Sequence, residues 1–315
     1  MKIIFFGSSD FSVPILKTLL SSGHSVVLVI TTPDRKKGRG QKLAPTVVKT
    51  FAQGKNLSVL APEKLSIPSV VDTIRQAAPD FMVIASYGKM VPESIFSLPK
   101  IAPLNVHPSL LPWHRGASPI QAAILEGDQK TGVSIADVTK ELDAGDLFGQ
   151  AETEIEENEN ALELSGRLSE IGSNLVLKTI NEFIHGKVSR IKQDSSKSSY
   201  AKKLERDSGH INWEQPALLI HRQVRAYYPW PSAFTFFHGK RLKILAAHQA
   251  KIQSDQNKMP AGTIIKIEQN KSIHVQTQKG ALELIRVQPE GCKEMSAFEF
   301  ALGQRIKMGD RFESI

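Results

Sequence analysis

The sequence of 315 residues predicts an α/β protein, with a doubly wound, mainly parallel sheet followed by a small β-barrel. Short runs of apolar and β-branched residues alternate with helical patterns through the first half, as the buried strands of parallel sheets do. The chain is also too long for one ordinary compact core, which favours two domains. Five short strand-like segments near the carboxyl terminus predict a small barrel or a sandwich, with an OB-like barrel preferred.

The first half supplies the predicted elements of the parallel sheet in order. "KIIFFG" is predicted to be a buried strand, and "DFSVPILKTLLSSGH" a helix that Asp10 or Ser12 could cap and that ends at Gly23. Further strands are predicted at "SVVLVIT", "LSVLA", "FMVIAS", "PLNVH" and "GVSIADV", and a long amphipathic helix at "ALELSGRLSEIGSNLVLKTINEFIHG". Ligands of such sheets bind beyond the carboxyl ends of the strands, so the segments that follow the strands are the candidate site.

The second half begins with the polar, serine-rich stretch "KVSRIKQDSSKSSYAKKLERDSG", which predicts a linker. One helix is predicted at "QPALLIHRQVRAY". The five strands of the barrel are predicted at "FTFFHG", "LKILAAHQA", "GTIIKIE", "SIHVQTQKG" and "ALELIRVQP".

Composition excludes several classes of protein. Hydrophobic residues make up 41% of the chain and charged residues 23%, as in ordinary globular proteins. Cys292 is the only cysteine, so an intrachain disulfide and a cysteine-based metal cluster are excluded, and a reducing compartment is favoured. The apolar start is too short for a signal peptide, and no apolar run approaches the length of a membrane span. We therefore expect a cytoplasmic protein without membrane contact. We also expect a monomer that holds no metal.

The net charge of +8 is unevenly distributed along the chain. Residues 1–150 carry +4, residues 151–200 carry −3 and residues 201–315 carry +7. Such a basic region is typical of proteins that contact a polyanion, although a solvated lysine-rich surface has the same composition. The loop 33–42, "PDRKKGRGQK", has five basic residues and one acid, so its net charge equals that of the whole first half.

The stretch "NVHPSLLPWHRG" holds the first candidate catalytic residues. Asn105 and His107 lie two apart at the end of a predicted strand, so their side chains point to the same face. An amide donor beside an imidazole suits stabilisation of an oxyanion on a carbonyl carbon, although a lone histidine is more often structural. Asp143, in "LDAGD", follows the next predicted strand and either stabilises a turn or brings a carboxylate to the same site. The combination of the three residues favours chemistry.

Gly7, in "FFGSSDF", raises the question of a bound dinucleotide. The dinucleotide fingerprint needs two further glycines at set spacing, and "GSSDFS" lacks them. We therefore interpret Gly7 as the turn that leaves the first strand and reject NAD as a cofactor.

Several segments together resemble the methionyl-tRNA formyltransferase family. They are "FFGSSDFSVPIL", "TTPDRKKGRGQKLAPTVVK", "ASYGKMVP", "NVHPSLLPWHRGASPIQAAILEGDQKTGVSI" and "LDAGDLF". The resemblance continues to the "PWP" near residue 230 and extends more weakly into "GTIIKIEQNKSIHVQTQKGALELIRVQPEGCKEMSAFEFALG". The "NVH…SLLP…RG" and "LDAGD" motifs are typical of folate-dependent formyltransferases as a group, and the "PDR…GRG" loop with a basic second domain indicates the tRNA-specific family.

The resemblance implies a division of the chain and a set of site residues. It implies a Rossmann-like formyltransferase catalytic domain at 1–188, a linker at 189–208 and an OB-like tRNA-binding domain at 209–315. The implied catalytic residues are Asn105, His107 and Asp143. The residues implied to line the tetrahydrofolate site are Ser109, Leu110, Leu111 and Pro112, with "SYGKMVP" near the pterin. The residues implied to contact tRNA are Arg39, Lys36, Lys37 and Lys42. Pro108 and His114 depart from the family, which often has Gly and an aromatic residue at these positions.

The resemblance implies transfer of a formyl group from 10-formyltetrahydrofolate to the α-amino group of initiator methionyl-tRNA, in support of translation initiation. One alternative keeps the chemistry but changes the acceptor amine to glycinamide ribonucleotide or an amino sugar nucleotide, which would leave the basic second domain unexplained. Another is a non-catalytic nucleic-acid-binding protein, against which the intact Asn105, His107 and Asp143 argue.

Overall fold

The computed structural model describes residues 1–37, 40–250 and 259–313. Its helices are α1 Ser12–Ser21, α2 Val47–Gly54, α3 Pro68–Ala77, α4 Glu93–Phe96, α5 Pro119–Glu126, α6 Ala161–Ile184, α7 Ala217–Ala226 and α8 Ala297–Gln304. Its first strands are β1 Lys2–Gly7, β2 Ser25–Ile30, β3 Arg35–Lys37, β4 Lys42–Ala44, β5 Val59–Leu60, β6 Phe81–Ala85, β7 Ala102–His107, β8 Arg115–Gly116, β9 Lys130–Asp137, β10 Leu147–Glu154 and β11 Tyr200–Ala201. The later strands are β12 Ala233–Phe237, β13 Lys240–Ala250, β14 Ile264–Glu268, β15 Ser272–Gln276, β16 Ala281–Pro289 and β17 Met295–Ser296.

Two compact units divide the chain. The first comprises Met1–Pro119, Lys130–Glu154 and Ser165–Lys202, and the second comprises Ile120–Gln129, Ile155–Leu164 and Lys203–Ile315. The division of the chain at residues 188 and 209 that the sequence suggested stays a prediction.

The first unit is built on a seven-stranded sheet in the order β10-β9-β7-β6-β1-β2-β5. In the stretch β7-β6-β1-β2-β5 of this order, every strand is parallel to its neighbour. At the other end of the sheet, β9 is antiparallel to β7 and β10 is antiparallel to β9. The central strand β1 is apolar because it is covered on both faces, and Ile3 to Phe6 are fully buried. The strand order reverses direction between β1 and β6, which is where ligands of open α/β sheets bind. The predicted mainly parallel sheet is confirmed.

The second unit contains an antiparallel sheet in the order β12-β13-β16-β15-β14, with β17 paired to β16. The carboxyl-terminal segment bridges its two edges, since Glu313 pairs with Phe236 on β12 and Arg311 pairs with Thr263 next to β14. Trp213 and Phe312 stack inside the resulting barrel with ring centroids 5.7 Å apart. All five strands predicted from the sequence in this region are present.

Two local features differ from expectation. The helix α1 begins at Ser12, and neither Asp10 nor Ser12 is its N-cap, because the N-cap is Phe11 and the Ser12 hydroxyl donates instead to the carbonyl oxygen of Ala85 on β6, at 2.6 Å. The polar loop after β2 contains a short hairpin, β3–β4. Among the helices of the described residues, none has both the length and the apolar character that crossing a membrane requires.

Candidate active site

Asn105 and His107 project from the carboxyl-terminal end of β7. This strand lies between β6 and β9, and Asn105 is in register with Ile84 on one side and Ala136 on the other. Residues two apart on a strand share a face, as the sequence predicts. Both side chains therefore stand on one side of the sheet, one strand away from the point where the strand order reverses.

Asp143 meets these two residues from the turn that follows β9. The side-chain amide of Asn105 donates to Asp143 Oδ1 at 3.0 Å, and the backbone N–H of Gly116 donates to Oδ2 at 2.8 Å. His107 Nδ1 lies 3.7 Å from Asp143 Oδ1, which is close enough for a charge interaction but too long for a hydrogen bond. The structure thus brings the three predicted residues together.

The orientation of the His107 ring is fixed by the backbone. Its Nε2 lies 3.0 Å from the carbonyl oxygen of His114, and the ring is only 4% exposed. A carbonyl oxygen can only accept a hydrogen bond, so Nε2 carries a proton and donates it there. Nδ1 is consequently the ring nitrogen that faces Asp143.

The turn that presents Asp143 depends on a close approach of two backbones. Asp143 has a left-handed backbone conformation with φ +52°, which non-glycine residues adopt infrequently. A Cβ atom on Gly145 would lie 2.1 Å from the carbonyl oxygen of Asp137 at the end of β9. The glycine in "LDAGD" therefore allows the turn to fold back against the strand and aim the carboxylate at β7.

A cavity of about 390 Å³ contains all three side chains. It is lined by the segment after β6 (86–91), the end of β7 (105–108), part of β8 and the stretch after it (116–117), and the segment after β9 (137–139 and 142–143). Within it, burial raises the pKa of Asp137, an effect that Arg190 and the N–H of Val138 partly oppose. Burial also raises the pKa of Tyr87 to about 12. The volume of the cavity is within the usual range for small-molecule sites.

The predicted folate-site segment 109–112 lies next to this cavity in sequence, since Pro108 is among the lining residues. Ser109 and Leu111 are buried. The hydroxyl of Ser134 donates to the carbonyl oxygen of Ser109 and accepts from the N–H of Leu111, and Gln150 donates to the carbonyl oxygen of Leu111. The backbone of this segment is thus firmly held, but residues 109–112 are not among those that line the cavity. Leu110 and Pro112 are half-buried.

Three of the four predicted tRNA-contacting residues, Lys36, Lys37 and Lys42, fall on the β3–β4 hairpin. Lys36 and Lys42 have exposed side chains, and the backbones of Lys37 and Lys42 pair at the end of the hairpin. The prediction for Arg39 lies outside the described residues. The residues that line the cavity come from other segments of the chain.

Two residues of the site escaped the sequence analysis. Arg115 and Gln193 are 1% and 7% exposed, and both guanidinium Nε and NH2 donate to Gln193 Oε1, at 3.2 and 2.8 Å. Gln193 Nε2 in turn donates to the carbonyl oxygens of Asp143 and Gly145. Arg115 was visible as the "RG" of a motif, but Gln193 lies in a polar stretch with no signal of burial.

A set of side chains that could bind a metal lies on the barrel of the second unit. Glu268, His274 and Glu283 bring their ligand atoms within 4.8 Å of one another. Lys266 and Lys271 already bind Glu268 and hold its pKa well below the usual range, at about 2. A cation would have to displace both ammonium groups, so we assign this cluster no metal.

Comparison with known proteins identifies the family. Residues 1–180 match the family described as formyl transferase, and residues 203–305 match the formyl transferase carboxyl-terminal domain. The methionyl-tRNA formyltransferase of Sulfurihydrogenibium sp. is 41% identical over 99% of this chain and 100% of its own length. The chain belongs to the methionyl-tRNA formyltransferase family. It is therefore a formyltransferase, as the motifs predict. The corresponding enzyme of Bacillus subtilis is 38% identical over 98% of this chain and 96% of its own length.

Solved structures support the fold of this family member. HypX from Aquifex aeolicus in complex with tetrahydrofolic acid superposes with a TM-score of 0.67 at 17% identity, over 96% of this chain and 47% of HypX. An N-formyltransferase from Helicobacter canadensis in complex with folinic acid and dTDP-3-aminofucose gives 0.65 at 19% identity, over 92% of this chain and 99% of that one. Methionyl-tRNA formyltransferase from Clostridium thermocellum gives 0.54 at 17% identity, over 79% of this chain and 94% of that one. At these identities the likeness concerns the fold alone.

Proposed function

We propose that the protein transfers a formyl group from 10-formyltetrahydrofolate to the α-amino group of initiator methionyl-tRNA. The observation that carries this proposal is the meeting of Asn105, His107 and Asp143 in one cavity at the carboxyl ends of the strands. The full-length similarity to methionyl-tRNA formyltransferases supports the choice of acceptor. Such a reaction belongs in the cytoplasm, where aminoacylated tRNA is used for initiation.

The reaction requires stabilisation of a negative oxygen. The amine nitrogen of the methionyl ester attacks the formyl carbon, and the carbonyl oxygen becomes an oxyanion. As the tetrahedral intermediate collapses, the bond from the formyl carbon to N10 breaks and N10 takes up the proton that the amine has lost, which releases tetrahydrofolate. The Asn105 amide has two N–H groups, and Asp143 accepts only one of them. The other is available to the oxyanion, in a half-buried position that lines the cavity.

Proton transfer falls to His107 and Asp143. The Nε2 proton of His107 is engaged by the backbone of His114, so a proton on Nδ1 is the one that can reach the reacting oxygen. Asp143 stabilises that protonated ring at 3.7 Å and can accept the proton that the attacking amine must lose. The pKa of an α-amino group is about 8, so a useful fraction is unprotonated near neutral pH.

The folate donor would occupy the cavity beside the trio. Neighbouring folds with tetrahydrofolic acid or folinic acid bound support a folate co-substrate. The segment 109–112 would form a rigid wall of this site, because Ser134 and Gln150 hold its backbone. The lining segment 86–91 would lie near the pterin. This chemistry needs neither a covalent enzyme intermediate nor a metal.

The acceptor tRNA would contact the basic parts of the chain. The β3–β4 hairpin carries Lys36, Lys37 and Lys42, and Arg39 belongs to the same loop. Residues 201–315 carry a net charge of +7, which suits contacts with phosphates that do not depend on sequence. We propose that Arg39 of this loop positions the acceptor end, that Lys36 and Lys42 of the hairpin add contacts with phosphates, and that the basic second domain supplies general affinity.

The experiment that tests the function is an acceptor competition. The purified protein receives 10-formyltetrahydrofolate labelled in the formyl carbon, together with methionyl-tRNA, free methionine, glycinamide ribonucleotide or an amino sugar nucleotide. Label should pass to methionyl-tRNA with the highest kcat/KM. A higher kcat/KM for one of the small amines would replace the proposed acceptor, and absence of transfer to all of them would refute the proposal.

A further inference from the structure

The backbone of the Asp143 turn is held from a segment fifty residues later in the chain. The Gln193 side-chain nitrogen donates to the carbonyl oxygen of Asp143 at 2.8 Å and to that of Gly145 at 2.6 Å. Both N–H groups of the Gln193 amide therefore donate to the turn that presents the Asp143 carboxylate. Gln193 is 7% exposed, so water competes little for these bonds.

Arg115 determines which way this amide points. Its Nε and NH2 groups both lie within 3.2 Å of Gln193 Oε1. Arginine can only donate hydrogen bonds, so the oxygen of the Gln193 amide must face Arg115 and the nitrogen must face the turn. A flipped amide would bring its N–H groups against the guanidinium and its oxygen against two carbonyl oxygens. The buried guanidinium of Arg115 therefore fixes the Gln193 amide with its nitrogen towards the Asp143 turn.

The same short strand also holds the other end of Asp143. Arg115 and Gly116 form β8, which pairs in parallel with Tyr200 and Ala201 of β11. The N–H of Gly116 donates to Asp143 Oδ2, while the side chain of Arg115 acts through Gln193 on the backbone of Asp143. The backbone and the carboxylate of Asp143 are thus held in place by two adjacent residues, Arg115 and Gly116.

We infer that Gln193, oriented by Arg115, is a positioning residue for the transfer reaction. It holds Asp143 in its left-handed conformation, so that the carboxylate stays in contact with Asn105 and His107. This role rests on the proposed function, because only formyl transfer gives the position of the Asp143 carboxylate a catalytic role. Gln193 itself contacts neither substrate in this scheme.

The decisive variant is Gln193→Glu. Glutamate keeps the size of the side chain and can still accept from Arg115, but it presents an oxygen to the carbonyl oxygens of Asp143 and Gly145. We expect kcat to fall by about 10- to 100-fold, since a displacement of about 1 Å at a catalytic group has effects of that order. The KM for 10-formyltetrahydrofolate should change by less than about threefold, because the segment 109–112 is not disturbed.

Two variants serve as matched controls. Gln150→Glu makes the same chemical change at an amide that donates to Leu111 and Ser134, so it should raise the KM for the folate donor more than it lowers kcat. Glu141→Gln removes the exposed carboxylate that lies 3.5 Å from Arg115 Nη1, and kcat should stay within about twofold of wild type. Together they separate the effect on Asp143 from loss of any buried amide and from loss of charge near Arg115.

A spectroscopic measurement tests positioning without any substrate. The Gly116 amide proton donates to the Asp143 carboxylate, so its NMR chemical shift reports where that carboxylate lies. Labelling arginine with ¹³C at the carbonyl and glycine with ¹⁵N selects the pairs Arg39–Gly40 and Arg115–Gly116, and Arg39→Lys removes the first pair. In Gln193→Glu the Gly116 proton should move upfield, in the direction produced by Asp143→Asn. In Gln150→Glu it should stay in place.

The outcomes are distinct. A wild-type kcat together with an unmoved Gly116 resonance in Gln193→Glu would overturn the inference. If Gln193→Glu does not fold, Gln193→Met provides a neutral side chain of similar length without a donor, and the same losses are expected. If neither variant folds, Gln193 is a folding element and the inference is wrong. If the wild-type protein transfers no formyl group to methionyl-tRNA, the proposed function fails, while the resonance still reports on the turn.

Discussion

The Asp143 turn in the first unit and the α7 region of the second unit differ in how many hydrogen bonds their buried polar groups make. Asp143 accepts bonds from Asn105 and Gly116 at its carboxylate and from Gln193 at its backbone carbonyl. His221, on α7, is 2% exposed, and neither of its ring nitrogens has a hydrogen-bond partner among the described residues. Its nearby charges are the cations Arg222 and Arg225 together with His248.

The difference reflects what each region has to do. Formyl transfer requires one geometry and one set of protonation states, so the groups around Asp143 fix one another. The polyanion binding proposed for the second unit would require only positive charge at the surface, and it places no demand on His221, a buried histidine whose surroundings lower its pKa. Single substitutions should therefore change the rate strongly in the first region, and should change stability or salt dependence elsewhere.

The largest effect is expected for Asn105→Ala. This substitution removes the amide that faces both Asp143 and the expected oxyanion, so kcat should fall about 100- to 1000-fold, as for other lost oxyanion donors. Single-turnover formylation at saturating methionyl-tRNA measures the change. Folate binding, followed by fluorescence quenching, should be preserved because the lost interaction belongs to the transition state. A variant with near-normal turnover would remove the proposed role.

The sequence predicts much of this region because its signals are local. Apolar runs mark the buried strands, a spacing of two places Asn105 and His107 on one face, and "LDAGD" marks a tight turn. All three catalytic candidates are accordingly found together. The strand β10 escaped prediction because its second half alternates half-buried and exposed residues, as an edge strand does.

What the sequence does not reveal depends on contacts between distant segments. Arg115 and Gln193 are 78 residues apart, and arginine and glutamine are residue types that usually lie at the surface. Gln193 also lies in a polar stretch that has the composition of a linker. The ring orientation of His107 likewise depends on the backbone oxygen of His114, which no side-chain pattern encodes.

The second largest effect concerns the pH dependence of stability through His221. Burial, followed by the charge of Arg225, lowers the pKa of His221 to about 4. The unfolded chain binds a proton near pH 6.5, whereas the folded chain binds one only near pH 4. Stability from this group is therefore complete above pH 6.5 and is lost as the pH falls towards 4. Between pH 7 and pH 5 the loss should be about 2 kcal/mol.

The matched variant is His221→Leu, which has a similar volume and no titratable group. Urea unfolding followed by circular dichroism at pH 7 and pH 5 gives the free energies of unfolding of both proteins. The variant should lose about 2 kcal/mol less than wild type between these pH values. Equal losses in the two proteins would mean that His221 is protonated or hydrogen-bonded in solution, and the contrast between the two regions would disappear.

A smaller effect is expected from surface cations of the β3–β4 hairpin. Lys36 and Lys42 are exposed, so replacing both by Gln should remove about two phosphate contacts. The slope of log affinity for methionyl-tRNA against log salt should become shallower by about 1.8. At saturating tRNA the rate should be close to that of wild type. An unchanged slope would show that the hairpin does not contact the phosphates, and a rate that stays low at saturation would give these lysines a role in positioning.

The smallest effect is expected at Asp137, which lines the same cavity as Asp143 but has a different environment. Burial raises its pKa, and Arg190, whose nearest nitrogen is 3.5 Å away, only partly opposes this effect. A carboxyl group with a raised pKa makes its full contribution to stability below its unfolded pKa, and this contribution is lost as the pH rises through its folded pKa.

At pH 7 the charged form of Asp137 therefore destabilises the fold, and Asp137→Asn should remove this destabilisation. The variant also loses the exposed ion pair with Arg190, which contributes little to stability. We expect the two opposing changes to leave the free energy of unfolding within about 1 kcal/mol of wild type at pH 7. The variant should also lack the loss of stability that this carboxyl group contributes in wild type as the pH rises above its unfolded pKa. A destabilisation well beyond this at pH 7 would mean that the Asp137 carboxylate is held as firmly as that of Asp143, and the two acids of the cavity would then have to be treated as one network.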